Sequence, residues 1–320
     1  MIRLARRAGG VLLLSLLPAC ARSQAAATPA PAPGGQRPAE RPAPQQLPPA
    51  PTDTMSLRRV LDSLASAHRG VMGFSIHNLD TGERLSRRGD ETFPTASLIK
   101  IPVLVALYDL VEKGQISLSD KIVLLDIDKV GGAGLLQHLH NGLELTVGDA
   151  ATLMIAISDN TATNLILDRI GIRRVWTKME ALGLGHSKVH SGSMTRLKTV
   201  APDSSAKYGL GVTTPDEMAQ LFTLLAQGKA VSPRADSAML ALMQNAQSEK
   251  KMLRYAAGVR AARKSGETDA VRTECALFYL RSRVVACVLT KDNEDKSWTL
   301  ENGAEMAMSR VGEAIVRAWK

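Results

Sequence analysis

The chain has 320 residues, of which 45% are hydrophobic and only 3% aromatic, with a formal charge of +9 at neutral pH. That length and composition fit one large globular domain or two modest ones around an aliphatic core. No dense Lys/Arg block or interleaved aromatic platform occurs, and Arg3, Arg6 and Arg7 lie in a segment expected to be removed, so no nucleic-acid partner is expected.

The first seven residues are basic and residues 11–17 are a short apolar run, too short to span a bilayer as a helix but suited to a secretory leader. Leu17-Pro18-Ala19-Cys20 follows, and it resembles a bacterial lipoprotein cleavage box in which Cys20 becomes the lipidated first residue. Ordinary cleavage near Ala19 is the alternative. Residues 1–19 are thus expected to be a signal peptide, and export to the periplasm with a lipid anchor at Cys20 is expected. Ten of the fifteen prolines fall before residue 52, mixed with Ala and Gln, so residues 20–52 read as an extended tether.

The folded part is expected over residues 53–320. Residues 56–68 carry apolar side chains at helical spacing, residues 71–78 and 84–88 read as strands around an Asp80-Thr81-Gly82-Glu83 turn, and a helix is predicted from Ser97 to near Gly114. Five more helices are predicted at 146–157, 161–170, 172–182, 215–227 and 235–244, with weak strand signals between 116 and 227. Strands return at 259–264, 274–280 and 284–290, the last two joined by a turn at 281–283, and a final helix covers 301–319. The order implies an α+β fold: a five-stranded antiparallel sheet flanked by helices (residues 53–112 and 229–320) with an inserted all-α part (113–228). Cys275 and Cys287 sit in neighbouring predicted strands at a register that makes them diagonal. Two buried small residues are expected there, a disulfide being the alternative.

Three motifs carry chemistry. In Ser97-Leu98-Ile99-Lys100 at a helix start, positions i and i+3 share a face, so the Lys100 amine can reach the Ser97 hydroxyl and serve as its base. Ser-x-x-Lys alone is a weak signal, since Ser204 to Lys207 and Ser248 to Lys251 repeat it. Ser158-Asp159-Asn160 breaks two helices, and Lys264-Ser265-Gly266 ends the first late strand.

This ordered set resembles class A β-lactamases and penicillin-binding proteins, and the strand order, the Ser-x-x-Lys-x-Pro extension and the C-terminal helix extend the similarity over the whole folded part. The resemblance implies Ser97 as nucleophile, Lys100 as base, Ser158 as proton relay to the leaving nitrogen, and Asn160 as a partner for the substrate's side-chain amide. Lys264 and Ser265 would bind the substrate carboxylate. Backbone N–H groups of Ser97 and of Glu267, which follows Gly266, would form the oxyanion hole. Arg272 would assist with the carboxylate, or would be a solvated strand arginine.

One family element is missing. No glutamate lies between Glu180 and Glu217, and Thr195-Arg196-Leu197 aligns with the start of the family's deacylation loop, placing Ala201-Pro202 where Glu-Pro would stand. Acylation by β-lactams or D-Ala-D-Ala peptides followed by slow deacylation is therefore expected, as in small penicillin-binding proteins on the class A scaffold. The alternative is a genuine β-lactamase using Asp203 as base; a non-turnover β-lactam or muropeptide sensor is a third reading. His138-Leu139-His140 lacks the partners of a zinc site, so no metal is expected, and no other cofactor either; no Gly-x-Ser-x-Gly elbow occurs, which sets aside an α/β-hydrolase. A monomer is expected.

Overall fold

Strands β1 (Val71–Asn78), β2 (Arg84–Arg87), β8 (Ala261–Thr268), β9 (Val271–Tyr279) and β10 (Arg283–Lys291) form an antiparallel sheet in the order β2-β1-β10-β9-β8. The sheet is closed by both ends of the folded chain, with β8, carrying the Lys264 motif, on its edge. This is a computed structural model, describing residues 54–193, 199–246 and 250–320, all within the unit Pro48–Lys320. The expected leader, the tether, Cys20 and Thr195-Arg196-Leu197 lie outside the described residues.

Alternation along the strands divides the interior in two. Phe74, Ile76, Ala276, Phe278, Val284, Ala286 and Val288 face α1 (Thr54–Ala67) and α9 (Gly303–Trp319), which supply Leu57, Leu61, Met308, Val311 and Ile315. Their neighbours Cys275, Leu277, Val285, Cys287 and Leu289 face the other way and join a larger core built on α2 (Lys100–Glu112). Every residue of α2 from Lys100 to Tyr108 is buried, since the helix is apolar on nearly every side and is packed all round. Around it lie α3 (Val147–Ala156), α4 (Asn160–Ile170), α5 (Ile172–Ala181), α7 (Pro215–Ala226) and α8 (Pro233–Gln244).

The predicted helices are all present with shifted ends, and Thr214, Pro215 at N1 and the bond from Glu217 N–H to Thr214 Oγ1 at 3.1 Å start α7 as anticipated. Three differences matter. The helical part also contains short strands, β4 (Lys121–Leu124) with β5 (Leu143–Thr146), and β6 (Lys188–Val189) with β7 (Gly211–Thr213), which in turn pairs β3 (Phe93–Pro94). Runs of two to four residues carry too little periodicity to be read. The short helix α6 (Pro202–Tyr208) has no periodic signal either. Finally, β9 and β10 pair Tyr279 with Arg283, so the loop is residues 280–282 rather than 281–283. That one-residue shift of the loop sets Cys275 directly opposite Cys287, and the two form a disulfide, correcting the expected diagonal pair of free thiols.

Candidate active site

Ser97 stands in a 3₁₀ turn, Ala96–Ile99, between β3 and α2. The turn is entered through Ala96 at φ 45°, a left-handed value that costs a non-glycine residue and needs support. Thr95 gives that support: its N–H and its hydroxyl both donate to Gly211 O, each at 3.0 Å. Its carbonyl accepts from Thr273 Oγ1 at 2.9 Å. From the sheet side β8 presses directly on the turn, because a Cβ at Gly266 would stand 2.7 Å from Ser97 N and 2.5 Å from Thr95 O. The glycine of Lys264-Ser265-Gly266 is thus required by a backbone-to-backbone approach.

Lys100 begins α2 and is fully buried. Its Nζ donates to Ser158 O at 2.5 Å, Ser158 Oγ at 3.1 Å and Asn160 Oδ1 at 3.0 Å. The expected direct bond to the Ser97 hydroxyl is not among these. A buried ammonium takes the oxygens that satisfy it best, and three are supplied by the Ser158–Asn160 turn. Lys264, 3% exposed, donates to Ser158 Oγ at 3.0 Å and to Ser265 O at 2.7 Å. The Ser158 hydroxyl therefore lies between two amines. Burial drives the Lys100 amine well below the ordinary lysine value, the Lys264 charge adding to the effect and Asp159 opposing it. Burial, then the Lys251 charge and finally that of Arg263, lowers Lys264 to about 7, with Glu267 and Glu274 opposing.

Ser158 is held at φ 59°, another left-handed residue at the site. Its neighbour Asp159, to which the motif alone assigns no role, is the bracket. One carboxylate oxygen caps α4 by accepting from Ala162 N at 2.9 Å, and the other accepts from Leu135 N at 2.7 Å and Leu136 N at 2.9 Å. Asn160 accepts from Lys100, and its Nδ2 donates to Gly131 O at 3.1 Å. The loop opposite fits only because it is glycine-rich: a Cβ at Gly132 would stand 2.7 Å from Asn160 Nδ2, and one at Gly134 would overlap the Asp159 carboxylate. The run Gly131-Gly132-Ala133-Gly134 is the signal that could have found this wall.

Ser97, Ser158, Asn160, Ser265, Gly266 and Glu267 line one cleft of about 680 Å³, with Gly132, Ala133, Thr268, Asp269 and Trp298 completing it. Ser158, Ser265 and Glu267 also line, with Lys264, a second pocket of about 320 Å³. The Glu267 carboxylate is turned to the ammonium of buried Lys251, a partner that no motif announces.

Arg272 is neither a cleft residue nor a solvated strand arginine. It is fully buried, bonded to the carbonyls of Thr268, Val271 and Ser297, 3.4 Å from Glu305 and stacked on Trp298 at 4.8 Å. As an even-numbered residue of β9 it shares the sheet face of Ala276 and Phe278, which is the face that α9 covers. Asp203 is exposed on the first turn of α6, and it is not among the residues lining the cleft. Among the described residues, no three His, Cys, Asp or Glu side chains are grouped as metal ligands.

Residues 56–319 match the family described as "Beta-lactamase enzyme family". Among curated relatives, β-lactamase L2 of Stenotrophomonas maltophilia is 32% identical over 124 residues, 38% of this chain and 40% of that protein. The chain thus spans about two fifths of the length of that curated relative. Among solved structures, a β-lactamase from Sphaerobacter thermophilus is 32% identical with a TM-score of 0.73, covering 83% of this chain and 97% of that one. PBP-A is 27% identical with a TM-score of 0.72, covering 85% and 98%. A mutant of PBP-A, solved as its acyl-enzyme complex with penicillin G, is 26% identical at the same TM-score of 0.72. Fold, motif order and a match over nearly all of the folded part agree: the chain belongs to the β-lactamase enzyme family.

Proposed function

We propose that the protein is an exported active-site-serine hydrolase that forms an acyl-enzyme through Ser97 with β-lactams or D-Ala-D-Ala peptides and releases it slowly. The observation that carries this reading is the placement of the Ser158 hydroxyl between the Lys100 and Lys264 amines, in the cleft that holds Ser97. Serine attack on an amide needs a base, a proton path to the leaving nitrogen, an anion site for the carbonyl oxygen and an anchor for the substrate. Burial lowers the proton affinity of the Lys100 amine, which favours its neutral form as the base that takes the Ser97 proton. The Ser97 and Glu267 N–H groups hold the developing oxyanion. Ser158 donates its proton to the departing nitrogen and recovers one from the lysines beside it. Lys264, as ammonium, and Ser265 hold the substrate carboxylate.

Deacylation needs a base that activates water on the acyl-enzyme, and loss of such a base is typically worth about 10²–10⁴-fold in rate. Where the family glutamate would stand this chain has Ala201-Pro202, at the start of α6, and Asp203 is turned to solvent. Both favour a penicillin-binding, DD-peptidase-like protein over an efficient antibiotic hydrolase. PBP-A is the relevant neighbour, its mutant having been captured as the penicillin acyl-enzyme. Export, a lipid anchor at Cys20 and a monomeric state are parts of the same proposal. The buried Cys275–Cys287 disulfide supports an oxidising compartment. The test is labelling with benzylpenicillin followed by peptide mapping: the adduct is expected on Ser97 and absent from Ser97→Ala, and an adduct on any other residue refutes the assignment.

A further inference from the structure

Lys251 ends the third Ser-x-x-Lys of the sequence, one that the active site leaves unused. It is 1% exposed and adopts φ 54°, so it bears both the desolvation of an ammonium and the strain of a left-handed side chain. The turn it opens, Lys251–Leu253, is clamped from two sides. Met252 N–H donates to the Glu274 carboxylate at 2.9 Å, and a Cβ at Gly312 of α9 would overlap Met252 O. Inside this clamp the Lys251 ammonium donates to the Glu267 carboxylate and lies 3.7 Å from Glu305 Oε1. Arg272 Nε approaches the same Glu305 oxygen at 3.4 Å. Glu267, Lys251, Glu305 and Arg272 thus alternate in sign from the cleft wall to the layer under α9.

Glu267 lies three residues beyond Lys264 on the same strand, and it borders both the cleft and the pocket that Lys264 lines. A bare carboxylate there would compete with the substrate carboxylate for Lys264 and would repel the substrate. We propose that Lys251 is a positioning residue for acylation: it pins the Glu267 carboxylate toward α9 and neutralises it, leaving the charge of Lys264 for the substrate carboxylate. The proposal rests on the reading of the site given above. The charged groups facing Lys264 are Lys100 from α2, Arg263 and Glu267 from β8, Glu274 from β9, and Lys250 and Lys251 from the turn before β8. Arg263 and Glu274 pair with each other at 3.2 Å, so Lys251 and Glu267 form the adjustable couple. Their effects on Lys264 oppose each other, Lys251 weakening and Glu267 strengthening its hold on a proton.

The test is a cycle of Lys251→Met, Glu267→Gln and the double variant of the full chain, measuring the second-order rate of acylation by benzylpenicillin against pH. In Lys251→Met the freed Glu267 raises the alkaline limb governed by Lys264, expected to shift upward by about half a pH unit or more, while the rate near pH 6 falls about tenfold. Glu267→Gln shifts the limb downward, and the double variant returns rate and limb to within about threefold and a few tenths of a pH unit of the parent. Lys251→Arg, which keeps the charge, restores the parent limb. A purely structural lysine would lower the melting temperature without moving the limb. An unmoved limb in folded Lys251→Met, or a double variant no better than the single one, overturns the proposal; if Lys251→Met fails to fold, Glu267→Gln and the double variant still decide it. A parent protein that benzylpenicillin never acylates sinks the reading of the site and this proposal with it. An acylated parent with unmoved variants sinks this proposal alone.

Discussion

Replacing Lys264 by methionine separates what the site costs the fold from what it gives the reaction. Burial and the neighbouring cations lower this amine from 10.5 to about 7. At ~1.36 kcal/mol per pH unit, that difference corresponds to about 5 kcal/mol of destabilisation wherever the lysine is charged in both folded and unfolded chains. The sign follows from proton binding: between pH 7 and 10.5 the unfolded chain holds a proton that the folded chain has released. Stability therefore rises with pH across that window, and the full cost applies below it. Methionine removes the cost but also the hydrogen bonds to Ser158 Oγ and Ser265 O, worth about 1 kcal/mol or somewhat more each. The net expectation is a gain of roughly 2–3 kcal/mol for Lys264→Met at about pH 6. The gain shrinks above about pH 7, while acylation falls at least about 10²-fold because the substrate carboxylate loses its partner. Urea unfolding at several pH values, beside stopped-flow acylation, measures both. A variant less stable than the parent at about pH 6, or a gain that does not shrink with pH, would refute the reasoning.

The same charge predicts that parent acylation declines as pH rises through about 7, where Lys264 loses its proton; the rate–pH profile checks this. Ser158→Ala should lower acylation about 10²–10⁴-fold with little change in noncovalent affinity, read by rapid-quench labelling. Gly266→Ala forces β8 away from Ser97 N and should slow acylation about 10–100-fold, with the protein folded by circular dichroism. Reducing the Cys275–Cys287 bridge, which closes a loop of sequence separation 12, should lower unfolding stability by about 2–4 kcal/mol, measured with and without reductant.

The fold is legible in the sequence where patterns are long. The sheet strands and all the major helices carry clear periodicity, and Ser97, the two lysines and Ser158 stand out as motifs whose order is itself informative. Geometry beyond the motifs is hidden for specific reasons. The loop joining β9 and β10 lies one residue from its expected place, and in a structure of period two that is enough to turn a diagonal cysteine pair into a facing one. Arg272 resembles a site residue by its spacing from Lys264, but strand alternation carries it to the α9 face, where Glu305, far along the chain, receives it. Lys251 cannot be told from a solvated lysine by sequence, because its burial is set by α9 and Glu267 rather than by its neighbours in the chain. Asp159 gives no signal because its partners, the N–H groups of Leu135 and Leu136, belong to a loop without a periodic pattern of its own.

Under the proposed function Ser97 acylates readily and deacylates slowly, because Ala201-Pro202 stands where the family glutamate is expected and Asp203 is exposed. Intact-protein mass followed over time after mixing with excess benzylpenicillin tests it most directly. One added penicilloyl group that persists for minutes or longer is expected. Rapid disappearance of penicillin with no adduct at steady state would contradict it and would mean that another group in the cleft activates water.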